Sequence, residues 1–162
     1  MTDVTTEFLL ACSDGDPEKL THLLRRKEEI DVKRLDKSHL LETATRKGHL
    51  EIVRLLLRVG FNVNQSHRIR GCAILHFACL GGHLQIVELL LENGADIDTI
   101  AKVANRTPLD VAVLHKKTSI TKLLLENGCK TNVRNHKGQT ALEVTMREGY
   151  LDGLKQLAFN DQ

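Results

Sequence analysis

Aromatic side chains are scarce in this chain: it has no tryptophan, one tyrosine, and only Phe8, Phe61, Phe77 and Phe159 among 162 residues. Any core must therefore be built from Leu, Ile, Val and Ala, a composition that suits closely packed helices. The same scarcity removes the base-stacking platforms of nucleic-acid binders, and a net charge of +2 supplies no strongly basic stripe. No apolar run approaches the length that spans a bilayer, so membrane insertion is not expected. The first ten residues, MTDVTTEFLL, carry Asp3 and Glu7 and no basic region, so they do not read as a secretory signal. Cys12, Cys72, Cys79 and Cys129 form no CxxC pair. They read as reduced thiols of a cytoplasmic or nuclear protein.

Catalytic motifs are missing as well. There is no GxxxxGK[ST] to cradle phosphates, no GxSxG elbow and no HExxH. Glu28 and Glu29 are adjacent carboxylates near a helix end, where water keeps them ionised, whereas paired-carboxylate chemistry needs one acid raised by burial. Cys72 with His76, and Cys79 with His83, are four residues apart, but the paired spacings of a zinc site are not met. The expectation is a chain that is not an enzyme and needs no metal or cofactor.

What is present is an ordinary folded composition, 41% apolar and 27% charged, at the length of one domain. Charge is unevenly spread. Residues 1–33 carry 5 basic and 8 acidic side chains, whereas residues 34–70 carry 8 and 3. The basic second segment suits a partner with an acidic surface.

The organising feature is a repeat. GHLEIVRLLLRVG (48–60) returns 34 residues later as GHLQIVELLLENG (82–94), and its ending returns again as LLLENG (123–128). A fixed period of this size marks a stacked array. Five units align: TEFLLACSDGDPEKLTHLL (6–24), HLLETATRKGHLEIVRLLLRVGFNVN (39–64), AILHFACLGGHLQIVELLLENGADID (73–98), TPLDVAVLHKKTSITKLLLENGCKTN (107–132) and TALEVTMREGYLDGLKQLA (140–158). Each reads as helix, short loop, helix and a Gly-led connection. Thr107 is placed to cap a first helix with Pro108 behind it, and Thr6 and Thr140 are placed likewise, while Ala73 and His39 are less able to cap. Gly48 and Gly82 should close first helices, and Gly60, Gly94 and Gly128 second helices, in a left-handed conformation. FNVN and ADID alternate as extended arms would, with Val63 and Ile97 turned inward. Glu18, Lys19, Arg25, Arg26 and Lys27 in the first unit, and LKQLAFNDQ in the last, read as polar caps.

These stretches resemble the ankyrin repeat, with HLLETA, AILHFA, TPLDVA and TALEVT standing at its signature and GHxxxVxxLLLxxG at its core. The resemblance implies an all-α solenoid of helix-turn-helix units joined by hairpin-like loops. It spans 1–162 as a single domain, with repeats at about 5–36, 37–68, 69–102, 103–135 and 136–162. It also implies structural work for His49, His83 and His76. Ankyrin-type cyclin-dependent-kinase inhibitors are similar in length and in RNHKGQTALEV, but their second repeat has a shortened first helix, unlike HLLETATRKGHLEIV here. Asn64, with Val63 before it and Leu56 eight residues back, resembles the arm asparagines that an asparagine hydroxylase modifies.

By the same resemblance, function is expected on the concave side, at the ends of first helices and the arm tips. Ile69, Leu80, Ile100, Val103 and Leu114 should form an apolar strip there, with Arg46, Lys47, His67, Arg68, Arg70, Arg106 and His115 around it. The tips fall at Leu35–Asp36, Ile69–Arg70, Val103–Ala104 and His136–Lys137. The expected activity is that of a monomeric adaptor, scaffold or substrate receptor for a protein or peptide with apolar anchors and acidic flanks. Stoichiometric inhibition of a protein kinase is the alternative, as is a targeting role. Met1 and Gln162 lie close outside the outer units, a layout that fits a whole small protein or a domain of a longer one.

Overall fold

An apolar face repeated every 34 residues can be buried only against the same face of the next unit. The computed structural model, which describes residues 4–25, 37–67 and 71–150, is built on that principle. Among the described residues there are nine helices: α1 (Val4–Asp14), α2 (Pro17–Arg25), α3 (Lys37–Lys47), α4 (Leu50–Arg58), α5 (Ile74–Gly81), α6 (Leu84–Glu92), α7 (Pro108–Leu114), α8 (Thr118–Glu126) and α9 (Ala141–Glu148). The odd-numbered helices pack on one another in chain order, and the even-numbered ones form a second row behind them. The cap residues Arg26 and Lys27, the tip Leu35–Asp36 and the polar ending LKQLAFNDQ lie outside the described residues.

Equivalent positions fill equivalent places. Phe8, Leu41, Leu75 and Leu109 form one buried column through the inner row, and Ala11, Ala44, Ala78 and Ala112 form another. Alanine in the second column lets neighbouring helices approach closely. Leu23, Leu56, Leu90 and Leu124 do the same in the outer row and are all buried.

Helix starts follow the side chains available. Thr107 Oγ1 accepts from the Asp110 N–H at 3.2 Å while Asp110 Oδ2 accepts from the Thr107 N–H at 2.8 Å. Thr140 and Glu143 repeat that reciprocal pair at 3.3 and 2.8 Å. Ala73 has no oxygen to offer, and there His76 Nδ1 accepts from the Ala73 N–H at 3.1 Å instead. Two expected starts are corrected. Helix α1 begins at Val4 and α3 at Lys37, so Thr6 and His39 lie within helices and not ahead of them.

The arms also differ from expectation. They are turns, not extended runs, because Asn62 and Asp96 fold the chain with their own side chains. Asn62 Oδ1 accepts from the Asn64 N–H at 2.9 Å, and Asp96 Oδ1 from the Asp98 N–H at 3.0 Å. Among the described residues strand pairing is reduced to isolated bridges, Ser66 with Ala73 and Ala101 with Arg106. Val63 and Ile97 are turned toward the core as expected.

Hydrogen bonds tie neighbouring units along an arm edge and a loop edge, though not every seam has both. On the arm edge, Asn64 donates from Nδ2 to Gly94 O at 3.0 Å and accepts at Oδ1 from the Asp96 N–H at 2.8 Å. Asp98 accepts from the Lys130 N–H at 2.8 Å. On the loop edge, His49 Nε2 lies 3.0 Å from Ser13 O, and His83 Nε2 lies 3.0 Å from Arg46 O. These rings rest on the glycine turn of the preceding unit. A Cβ on Gly48, whose φ is +80°, would lie 2.5 Å from His83 Cε1. Gly60, Gly94 and Gly128 end second helices in the same left-handed conformation, as expected.

Two outcomes are expected in urea titrations. Leu90→Ala, at a fully buried position, should cost about 2–5 kcal/mol, whereas Val103→Ser, at 70% exposure, should cost about 0.5 kcal/mol or less. Equal losses would contradict the division between core and face. Gly48→Ala and Gly60→Ala both place a side chain at positive φ, but nothing lies within 4 Å of a Cβ on Gly60. Gly48→Ala should therefore cost more, and the excess should vanish in a His83→Ala background.

Candidate protein-binding face

The ends of the inner helices and the arms form the face where the sequence places a site. At the end of α3, Arg46 is exposed, with Nη1 3.6 Å from Glu42 Oε1 one turn back. Lys47 is committed elsewhere: its Nζ donates to Ser13 O at 3.0 Å and to Ser13 Oγ at 2.6 Å, tying the second unit to the first. His67 Nε2 stands 3.9 Å from Glu42 Oε2. Arg68, Ile69 and Arg70 lie outside the described residues.

Three members of the expected apolar strip are exposed. Leu80, next to last in α5, is 42% exposed, and Ile100 and Val103 share one arm at 44% and 70%. Leu114, at the offset of Leu80, differs from it: it is half-buried and packs against the core. Arg106 is half-buried beyond the Ala101 bridge, and its carbonyl accepts from the Ala101 N–H at 2.9 Å. His115 is exposed. Partial burial, then the charges of Lys117 and Arg106, hold its imidazole below the ordinary value.

Several residues of this face were not singled out from the sequence. Arg106, Leu114, Lys137 and Arg147, at positions expected on this face, line a cleft with Asp110, Asn135 and Gln139, which were not. Lys116 has φ +54°, at the loop position where Gly15, Gly48, Gly82 and Gly149 stand in the other units. Aligning HKK with the GGH of the preceding unit carries that signal.

The titratable groups inside the stack serve architecture. His76 accepts at Nδ1 from Ala73, so Nε2 carries the proton and donates to Arg106 O at 2.9 Å. Burial dominates and lowers its pKa, against the opposing pull of those two backbone bonds and of Asp110. Asp110 is raised by desolvation, which outweighs its bonds to Thr107. Burial pushes the Cys12 and Cys129 thiols up to about 12 and Cys79 higher still, so all three are neutral. Among the described residues no group of three or more His, Cys, Asp or Glu side chains could hold a metal ion. Among the same residues no helix is long and apolar enough to cross a membrane.

This arrangement of paired helices, left-handed loop turns and inter-unit side-chain ties is matched by known families. A model of ankyrin repeats in three copies matches residues 8–101, and a single ankyrin repeat model matches residues 104–136. The chain belongs to the ankyrin repeat family. Ankyrin repeat proteins are in general non-catalytic protein-interaction modules. No curated protein matches this chain. Helix α3 of this ankyrin repeat protein runs eleven residues, where the kinase inhibitors resembled in sequence have a shortened helix.

The buried His76 makes stability depend on pH. Burial holds its folded pKa below the ordinary imidazole value of about 6.5, so the unfolded chain takes up the proton first and stability falls as pH drops below that value. Urea unfolding at about pH 7.5 and about pH 5.5 should show the native chain losing more stability than His76→Gln, by up to about 1.4 kcal/mol per pH unit. Parallel losses would mean that His76 is protonated in the folded protein.

Proposed function

We propose that this chain is an adaptor or substrate receptor that works as a monomer, holding a protein or peptide on the inner-helix and arm face of its third and fourth units. The observation that carries the reading is the exposure of Leu80, Ile100 and Val103 beside the cations Arg46 and Arg106. Exposed apolar groups with a polar rim mark binding surfaces, and Arg is favoured among residues that dominate binding energy. The partner so implied carries apolar anchors and acidic flanks. Buried neutral thiols suit a reducing compartment, and the cytoplasm or nucleus is the proposed setting.

The inhibitor reading is second. The full-length α3 favours the adaptor reading over it, because the resemblance to kinase inhibitors fails at that helix.

Paired affinity capture tests the leading reading. One bait is the native chain and the other carries Leu80→Glu, Ile100→Glu and Val103→Glu, with circular dichroism used to establish that it is folded. Proteins held by the native bait should be depleted about tenfold or more on the variant, the effect of losing roughly 1.4 kcal/mol or more of contact. Equal capture on both baits would move the binding surface elsewhere.

A further inference from the structure

Between the fourth and fifth units lies a cleft of about 20 Å³, to which Arg106, Lys137 and Arg147 bring three cations and Asn135 and Gln139 two amides. Its charges are not equally available. Arg147 is bonded to Glu148 Oε1 at 2.6 Å and to Gln139 Oε1 at 3.4 Å. The neighbouring Arg134 is held by Glu143 at 3.2 Å. Among the described residues no ion pair engages Arg106 or Lys137. The one acid lining the cleft is Asp110, 4% exposed, whose Oδ2 already accepts from the Thr107 N–H and hydroxyl at 2.8 and 3.0 Å. Two cations without an ion pair among the described residues thus face a single internal acid, which is already hydrogen-bonded and feels the Arg106 charge.

Size limits what can enter. A space of this volume holds about one water-sized group, so an aromatic ring or a whole small molecule is excluded, while one oxygen of a carboxylate fits. Arg and Lys donors bind carboxylates through short charge-assisted hydrogen bonds. Leu114 and Val144 complete the lining, and an apolar wall strengthens such bonds by keeping water away.

We propose that this cleft is a carboxylate subsite that receives one Asp or Glu side chain of the bound partner, with Arg106 and Lys137 as the donors. The proposal rests on the binding face described above and fixes a direction on it: the partner's acid lies toward the fifth unit from its apolar anchors. His115 reports on occupancy, since its imidazole feels the charge of Arg106, and a carboxylate arriving beside that guanidinium offsets it.

The test selects a phage-displayed peptide library on the native chain, then measures the recovered peptides with their Asp or Glu intact or replaced by Asn or Gln. Selected peptides should pair an acid with apolar residues, and the amide replacement should weaken binding about tenfold or more. On the folded double variant Arg106→Gln with Lys137→Gln, the acid and amide peptides should bind alike, the mark of a direct pair. In NMR titrations the His115 pKa should rise with the acid peptide and stay put with the amide peptide. Peptides that lose binding to Leu80→Glu yet respond equally to acid replacement on native chain and double variant would overturn the cleft alone. Peptides indifferent to Leu80→Glu as well, or a library that yields no binder, would overturn the cleft and the binding face together.

Discussion

No unit of this protein can bury its own apolar face. Its described helices run seven to eleven residues, below the roughly 12–15 at which an isolated helix becomes even marginal in water, and each of the first four units has two. Stability therefore comes from the seams, where Leu41, Leu75 and Leu109 succeed one another and Ala44, Ala78 and Ala112 allow the approach. A seam works only if the register of 33 or 34 residues is kept. The glycine turns, the capping pairs and the arm side chains all serve to keep it.

Much of this was legible in the sequence because it repeats. The leucine triplets, the Thr107 and Thr140 caps and the loop glycines recur at fixed offsets, and each has a local physical cause. The beginnings of α1 and α3 were not legible, since Thr6 and His39 sit where caps stand in other units and nothing in their own chemistry forbids a helix to run past them. The arms were misread because an alternation of apolar and polar residues is shared by strands and by turns closed through Asn62 or Asp96. Side-chain reach was invisible too: Lys47 spans to Ser13 of the preceding unit, 34 positions back in the chain.

The binding face was legible in outline only. Leu80, Ile100 and Val103 could be marked as exposed because the resemblance to a known repeat says which offsets leave the core. Leu114 occupies the offset of Leu80 but turns inward, a difference that depends on what the fifth unit brings against it. The position occupied by Glu42, His76, Asp110 and Glu143 makes the same point from the opposite side. One offset hosts a carboxylate paired with Arg46, a neutral imidazole and two capping acids, so the seams are built alike and bonded differently.

That variation has a mechanical consequence. Imidazoles bridge the loops of the first and second units and of the second and third, and a hydroxyl pair, Thr118 with Tyr150, joins the fourth to the fifth. Between the third and fourth, Lys117 merely overlies Gly82, and among the described residues no hydrogen bond joins those two loops. The seam behind Leu80 and Val103 is thus held by helix packing and by the His76–Arg106 and Asp98–Lys130 bonds, away from its loops.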